Sequence, residues 1–280
     1  MTEISHWVWC AVGVVGFIVL VILVKFLFGA IQKLRSKQRL RKWETKTSGS
    51  ETLIVHCPPW AKTLPSPSPF VMKVLTYLRI AGIPYELDHT DVFGGKGKTP
   101  WISVNGENIA DSEFIIAFLT KKFGKNLKGN YSDEQLAVAT AVRIMLDEHL
   151  FWGMALERFV FGSPDKMARV FHLPRLVVMI LKRMIRGRAE GQGIGVHTES
   201  DIIEIMSKDI RTVSKILGNK KFILGDEPCS EDAGIFGQLS QFFWGLPNNP
   251  YEVLLNGECK NLGDYCLRFC WPYTLKNKRS

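Results

Sequence analysis

A thiol placed after a strand and at the start of a helix can carry disulfide exchange, and Cys57 stands at such a point, behind the apolar run 52–56 (TLIVH). The spacing around it opposes that chemistry. No second cysteine occupies Trp60 or Ala61, and five prolines from Pro58 to Pro69 hold the chain extended, so the helix starts near Pro69 and the thiol is expected to be inert. Ser68, directly before Pro69, is placed to cap that helix with proline at its first position. Cys266 and Cys270 lie four apart with Cys259 nearby, a spacing that could offer a soft ion one helix face. No histidine or fourth cysteine completes a tetrahedral set there, so ordinary buried or half-buried thiols are expected and no metal site is assigned. Glu148, His149 and Glu157 lack the spacing of a ligand motif and are read as a solvated helix face. Gly94-Gly95-Lys96-Gly97-Lys98 precedes a strand instead of joining strand to helix, which makes it a mobile connection and not a phosphate loop.

The elements around these residues follow from periodicity. Residues 98–118 (KTPWISVNGENIADSEFIIAF) read as strand, turn, strand and capped helix, with Asn105-Gly106 supplying the positive-φ pair of a two-residue hairpin. Thr99-Pro100 enters the first strand where proline costs no central ladder bond, and this X-Pro bond is open to either isomer. Asp111 and Ser112 precede Phe114, Ile115, Ile116, Phe118 and Leu119, where a side-chain oxygen would cap the helix. Residues 70–81 form the helix after the proline-rich stretch, and residues 83–87 the strand after that, which completes a βαβββα plan. From residue 132 onward strand signals nearly vanish; helices are expected over 134–159, 166–186, 200–217 and 232–244 and near 261–269. The very apolar run 176–181 is too short to span a bilayer and is expected to be a core helix, with membrane contact as the alternative.

Residues 7–24 are an uncharged apolar run, extended beyond Lys25 by residues 26–31, and are expected to cross a membrane. Lys33, Arg35, Lys37, Arg39, Arg41 and Lys42 follow, which should keep the remainder of the chain cytosolic and could attract anionic lipid head groups. The net charge of +9 is concentrated here: the first 46 residues carry eight Lys/Arg against Glu3 and Glu44, so no nucleic-acid face is assigned. Residues 44–51 are polar and suit a short tether. The expected organisation is an anchor and basic segment over 1–50, a thioredoxin-like α/β domain over 51–129 and an all-α helical domain over 130–280. Six dispersed cysteines favour reduced thiols over a disulfide framework.

Thr99-Pro100, a hairpin and then Asp111-Ser112 opening a helix resemble the glutathione-transferase superfamily. Residues 191–197 (GQGIGVH), 217–220 (LGNK), 222–228 (FILGDEP) and 232–237 (DAGIFG), with Asn261-Leu262, Tyr265, Arg268 and Trp271-Pro272, resemble its metaxin-like branch. Within that branch they are most similar to the failed axon connections proteins and the nematode cadmium-responsive proteins. The resemblance covers about residues 52–272. One departure is Cys229, where the superfamily usually has Thr or Ser capping the helix reciprocally with Asp232, a loss of about 1 kcal/mol unless Ser230 substitutes.

The resemblance implies that Thr99, Pro100, Asp111 and Ser112 form a binding site for glutathione or a similar anionic peptide, with glutathione as ligand and no cofactor. It also implies that an activating hydroxyl, Ser68 or else Ser66, would lie near the ligand thiol. A binding or adaptor role on a membrane is expected, with protein partners or a homodimer and a stress response that includes cadmium. The alternative is a glutathione-dependent transferase or peroxidase. Mitochondrial outer and endolysosomal membranes both fit an apolar span followed by basic residues.

Overall fold

A computed structural model of the chain describes residues 26–27, 29–59, 64–171, 174–245 and 249–269, the side chains at 166, 170 and 171 apart. The expected span at residues 7–24 lies outside the described residues, as do Trp60, Ala61 and Cys270. Among the described residues no helix is long and apolar enough to cross a membrane.

Four strands form one sheet: β1 (Ile54–His56), β2 (Glu86–Asp88), β3 (Trp101–Val104) and β4 (Glu107–Ala110), in the order β2-β1-β3-β4. β1 and β2 are parallel and the other neighbours antiparallel, with Val55 opposite both Leu87 and Ile102. The β3–β4 hairpin turns on Asn105 (φ 47°) and Gly106 (φ 78°), the two positive-φ positions that Asn-Gly accommodates with little strain. On one face lie α2 (Pro69–Ile80), capped by Ser68, and α3 (Ser112–Phe123), capped by Asp111.

α2 is buried continuously from Val71 to Leu78, because the sheet covers one side and α9 (Ser230–Ser240) the other. The two helices meet backbone to backbone. A Cβ at Gly237 would lie 2.6 Å from the Pro69 carbonyl oxygen and 3.0 Å from the Lys73 nitrogen. Gly237→Ala should therefore destabilise by about 1–3 kcal/mol despite alanine's better helix propensity, measured by denaturant unfolding. An unchanged midpoint would show that the helices can part at no cost.

The opposite face of the sheet is covered by α1, the helix over residues 29–47. Trp43 (3 % exposed) packs there with Leu40, Ile54 and Trp101. Trp43 Nε1 donates to Asp91 Oδ2 at 2.8 Å, and Asn108 Nδ2 donates to the Leu40 carbonyl at 2.9 Å. The first part of the segment expected to be a tether, residues 44–47, is thus the last turn of docked α1, whose Trp43 and Leu40 side chains cover a face that the helix-free connection 89–100 leaves open. The glycine-rich part of that connection closes on itself, with Gly94 N donating to the Lys98 carbonyl and Gly97 N to the Gly94 carbonyl.

Asp88, at the end of β2, accepts from Thr90 Oγ1 at 2.6 Å and Asp91 N at 3.0 Å, and faces His56 Nδ1 at 2.8 Å. Burial would raise its pKa, but these bonds outweigh burial and hold it at about 2. The folded value lies below the unfolded one, so its stabilisation is complete above roughly pH 4 and is lost as pH falls towards about 2. Asp88→Asn should lose less stability than wild type across that window in acid titrations; parallel curves would contradict this.

The helical half comprises α4 (Asp133–Met145), α5 (Phe151–Leu156), α6 (Pro164–Phe171), α7 (Arg175–Gln192), α8 (Glu199–Leu217), α9, α10 (Glu252–Asn256) and α11 (Lys260–Arg268). Wide π-type turns at Leu146–Leu150 and Glu157–Phe161 flank α5. The single helix expected over 166–186 is two, because Pro174 is extended (ψ 139°) ahead of α7 and cannot donate into a helix ladder. The expectation that residues 176–181 belong to the core is also corrected. Only Val178 and Ala189 of α7 are buried, while Leu176, Met179 and Ile180 are 68 %, 56 % and 59 % exposed. Val178 and Ala189 lie three turns apart on one face with half-buried Ile185 between them, and α7 meets the core along that narrow seam.

Candidate functional site

Thr99, Asp111 and Ser112 are brought together at one cleft of about 190 Å³ where the sheet meets the helical half. The Thr99–Pro100 bond is cis, and Pro100 itself is buried. Asp111 holds φ 86°, a conformation sparsely populated by non-glycine residues, and its Oδ1 accepts from Glu113 N at 3.1 Å. It therefore caps α3 while lining the cleft. Ser112 is 7 % exposed at the first position of α3, where the helix N-terminus favours an anionic group. Phe70, Lys98 and Glu148 complete the rim with Glu113, Arg143 and Asp147.

Ser68 and Ser66 are not among the residues lining this cleft. Ser68 Oγ accepts from Val71 N at 3.4 Å as the α2 cap, and the buried Ser66 Oγ accepts from Ser68 N at 3.2 Å. Cys57 is also buried, and desolvation together with the Asp88 charge pushes its thiol up to about 12. Such a thiol stays protonated and inert near neutral pH.

Behind the cleft is a charge cluster that sequence reasoning missed. Lys73, 2 % exposed in the middle of α2, donates to Asp147 Oδ2 at 2.9 Å and contacts Glu113. Arg143 reaches Glu113 at 2.8 Å and Asp147 at 3.2 Å and pairs with Glu231, while Gln238 Nε2 donates to the other Asp147 oxygen at 2.9 Å. Burial would lower the Arg143 pKa, but the carboxylates of Glu231 and Glu113 outweigh it and raise it. Gly234 makes room for this cluster, since a Cβ there would lie 2.8 Å from Arg143 Cδ. The available signal was a lysine within the apolar run FVMKVL, at a position α2 must bury on all sides.

His149 pairs with Asp209 at 2.6 Å, and burial raises the Asp209 carboxyl. Among the described residues no group of His, Cys, Asp or Glu is disposed to hold a metal ion; Cys259 and Cys266 are buried. The Asp232 half of the expected capping pair is present: its carboxylate accepts from Cys229 N at 2.9 Å, Ile223 N at 3.0 Å and Tyr265 Oη at 2.9 Å.

A thioredoxin-like sheet with a cis-proline entry to β3, a capped α3 and an all-α second half define a glutathione-transferase-like protein. Comparisons with known proteins agree. Residues 69–164 match the family described as glutathione S-transferase N-terminal domain, and residues 206–269 match the glutathione S-transferase C-terminal domain. The chain is 31 % identical to Failed axon connections of Drosophila melanogaster over 83 % of its own length and 62 % of that relative's, so it spans less than two thirds of that protein. It is also 31 % identical to an isoprene-epoxide–glutathione S-transferase of a Rhodococcus strain, over 80 % of this chain and 99 % of that enzyme. A Metaxin-2 homolog of Caenorhabditis elegans is 27 % identical over 60 % of this chain and 77 % of its own. Among solved structures, the β-etherase LigF of a Sphingobium strain matches with a TM-score of 0.55 at 15 % identity, covering 82 % of this chain and all of that one, a likeness of fold. The chain belongs to the glutathione S-transferase superfamily, in its metaxin-like branch with Failed axon connections.

Proposed function

We propose that this chain is a membrane-anchored, glutathione-transferase-like adaptor whose cleft binds glutathione or a similar anionic peptide without turning it over. One observation carries this reading: the three peptide-binding candidates meet at one cleft, whereas the hydroxyls that could activate a thiol lie outside its lining and serve the start of α2. Asp111 meets the ligand's ammonium group, Ser112 and the α3 N-terminus its γ-glutamyl carboxylate, and Thr99 the backbone of the cysteinyl part. Conjugation also requires a lowered thiol pKa, and the charged groups behind the cleft are already paired with one another. The exposed apolar residues of α7 supply a surface for a protein partner.

Anchoring rests on residues 7–24 and the basic segment after them, which together place the folded part in the cytosol. A protease added outside intact organelles should digest it, and full protection would contradict the assignment. A stress or cadmium response is carried by the resemblance alone; Cys259, Cys266 and Cys270 are expected to be ordinary thiols, and tight stoichiometric cadmium binding lost in a Cys266→Ser/Cys270→Ser variant would overturn that expectation.

The runner-up, a transferase, is favoured by the match over nearly the whole Rhodococcus enzyme. Assay of the full chain with glutathione and a small epoxide separates the two. No turnover above the uncatalysed rate is expected, and Ser68→Ala should only lower stability by about 1 kcal/mol through the lost cap. Robust turnover abolished by Ser68→Ala would make the transferase reading correct.

A further inference from the structure

We infer that the groove between α1 and the glycine-rich connection is a binding site for the phosphorylated head group of an anionic membrane lipid. A cavity of about 650 Å³ lies there, within the size range of small-ligand sites, lined by Lys33, Ser36 and Lys37 of α1 and by Phe93, Gly95 and Gly97 opposite. Lys33 and Lys37 are one turn apart on one helix face, and among the described residues neither is paired with a carboxylate. Arg39, also on the groove, is already held by Asp91 at 3.3 Å and by the Phe93 carbonyl. The uncompensated charge of the cavity is therefore positive and comes from the two lysines. Across from them Gly97 presents no side chain and has open space where a Cβ would stand, so a bulky anion meets no steric block there, while Gly94 and Gly95 pack on Trp101 and Leu40.

Position decides between a lipid and a free phosphate compound. Phe26, Leu27, Ile31 and Leu34 of the same helical segment are 73 %, 59 %, 46 % and 61 % exposed, and Phe93 at the groove is 55 % exposed. Lys33 and Lys37 stand only about 3 and 9 Å along the axis beyond Ile31 at 1.5 Å per residue, which is head-group distance from an apolar layer. The docking of Trp43 fixes α1 against the sheet, so the groove and the apolar segment keep one geometry. This choice of a lipid rests on the anchored reading above.

The test titrates detergent-solubilised full-length chain with dioctanoyl phosphatidylinositol bisphosphate, with dioctanoyl phosphatidylcholine and with the free inositol phosphate. Saturable binding of the first, tighter than of the other two, is expected. Lys33→Ala/Lys37→Ala should weaken it roughly 10-fold or more. Arg35→Ala/Arg41→Ala removes the same charge from the same helix outside the groove lining and should weaken it by no more than about 2-fold. Equal losses in the two variants would reduce the effect to diffuse attraction and overturn the site. Equal affinity for the free inositol phosphate would overturn the lipid assignment, and no binding by wild type would overturn both. Alkaline extraction of wild type from membranes reports separately on the anchor, so failure of anchoring and failure of the groove are distinguishable.

Discussion

Asp147→Ala is expected to lower the unfolding free energy by about 3–5 kcal/mol, since removing one member of a buried ionic cluster leaves the others uncompensated. Asp147 accepts from Lys73, Arg143 and Gln238, and Lys73 is 2 % exposed, so its ammonium group loses its buried carboxylate partner. The cluster joins α2 of the sheet domain to α4 and α9 of the helical half, and its loss should loosen that junction. A paired change separates charge from packing. Lys73→Met/Asp147→Leu removes both buried charges at similar volume and should recover most of the loss. Denaturant unfolding reads both variants; a loss below about 1 kcal/mol for the single change, or additive losses in the pair, would contradict this account.

Trp43→Ala should cost about 3–5 kcal/mol, the range for truncating a buried aromatic residue. The indole is 3 % exposed, packs edge-on to His56 at 4.4 Å and donates to Asp91. Its removal leaves α1 held by the Asn108 contacts, by Thr47, which Gly106 N meets at 3.1 Å, and by the ion pairs of Arg39 and Lys42 with Asp91. Amide exchange should therefore rise through residues 29–47 and at the sheet face around Trp101, while α9 keeps its protection. Uniform loss of protection across the chain would show instead that α1 is part of the global core.

The βαβββα order was legible because each piece carries a local signal: Asn105-Gly106 for the hairpin, Ser68-Pro69 and Asp111 for the caps, and alternation from strand to helix. The convergence of Thr99, Asp111 and Ser112 on one cleft was legible only through resemblance, since nothing local says that β3 and α3 share a cleft with α4. Long-range features escaped. Lys73 and Asp147 lie far apart in the chain, and their burial depends on how α2, α4 and α9 meet. The docking of α1 escaped because the basic run from Lys33 to Lys42 read as a membrane-facing segment and hid the single indole, Trp43, that anchors it. Residues 176–181 misled for the opposite reason: a strongly apolar run predicts burial only if another element covers it, and α7 buries only the Val178–Ala189 seam.

The central claim is that the cleft formed by Thr99, Asp111 and Ser112 is a glutathione-type peptide site, and calorimetric titration of reduced glutathione into the full chain tests it most directly. Saturable binding with a dissociation constant of ~1 mM is expected. It should be lost in Asp111→Asn, which removes the charge facing the ammonium group but keeps a cap of similar strength. No heat of binding in wild type would contradict the claim and leave Asp111 and Ser112 as the start of a helix.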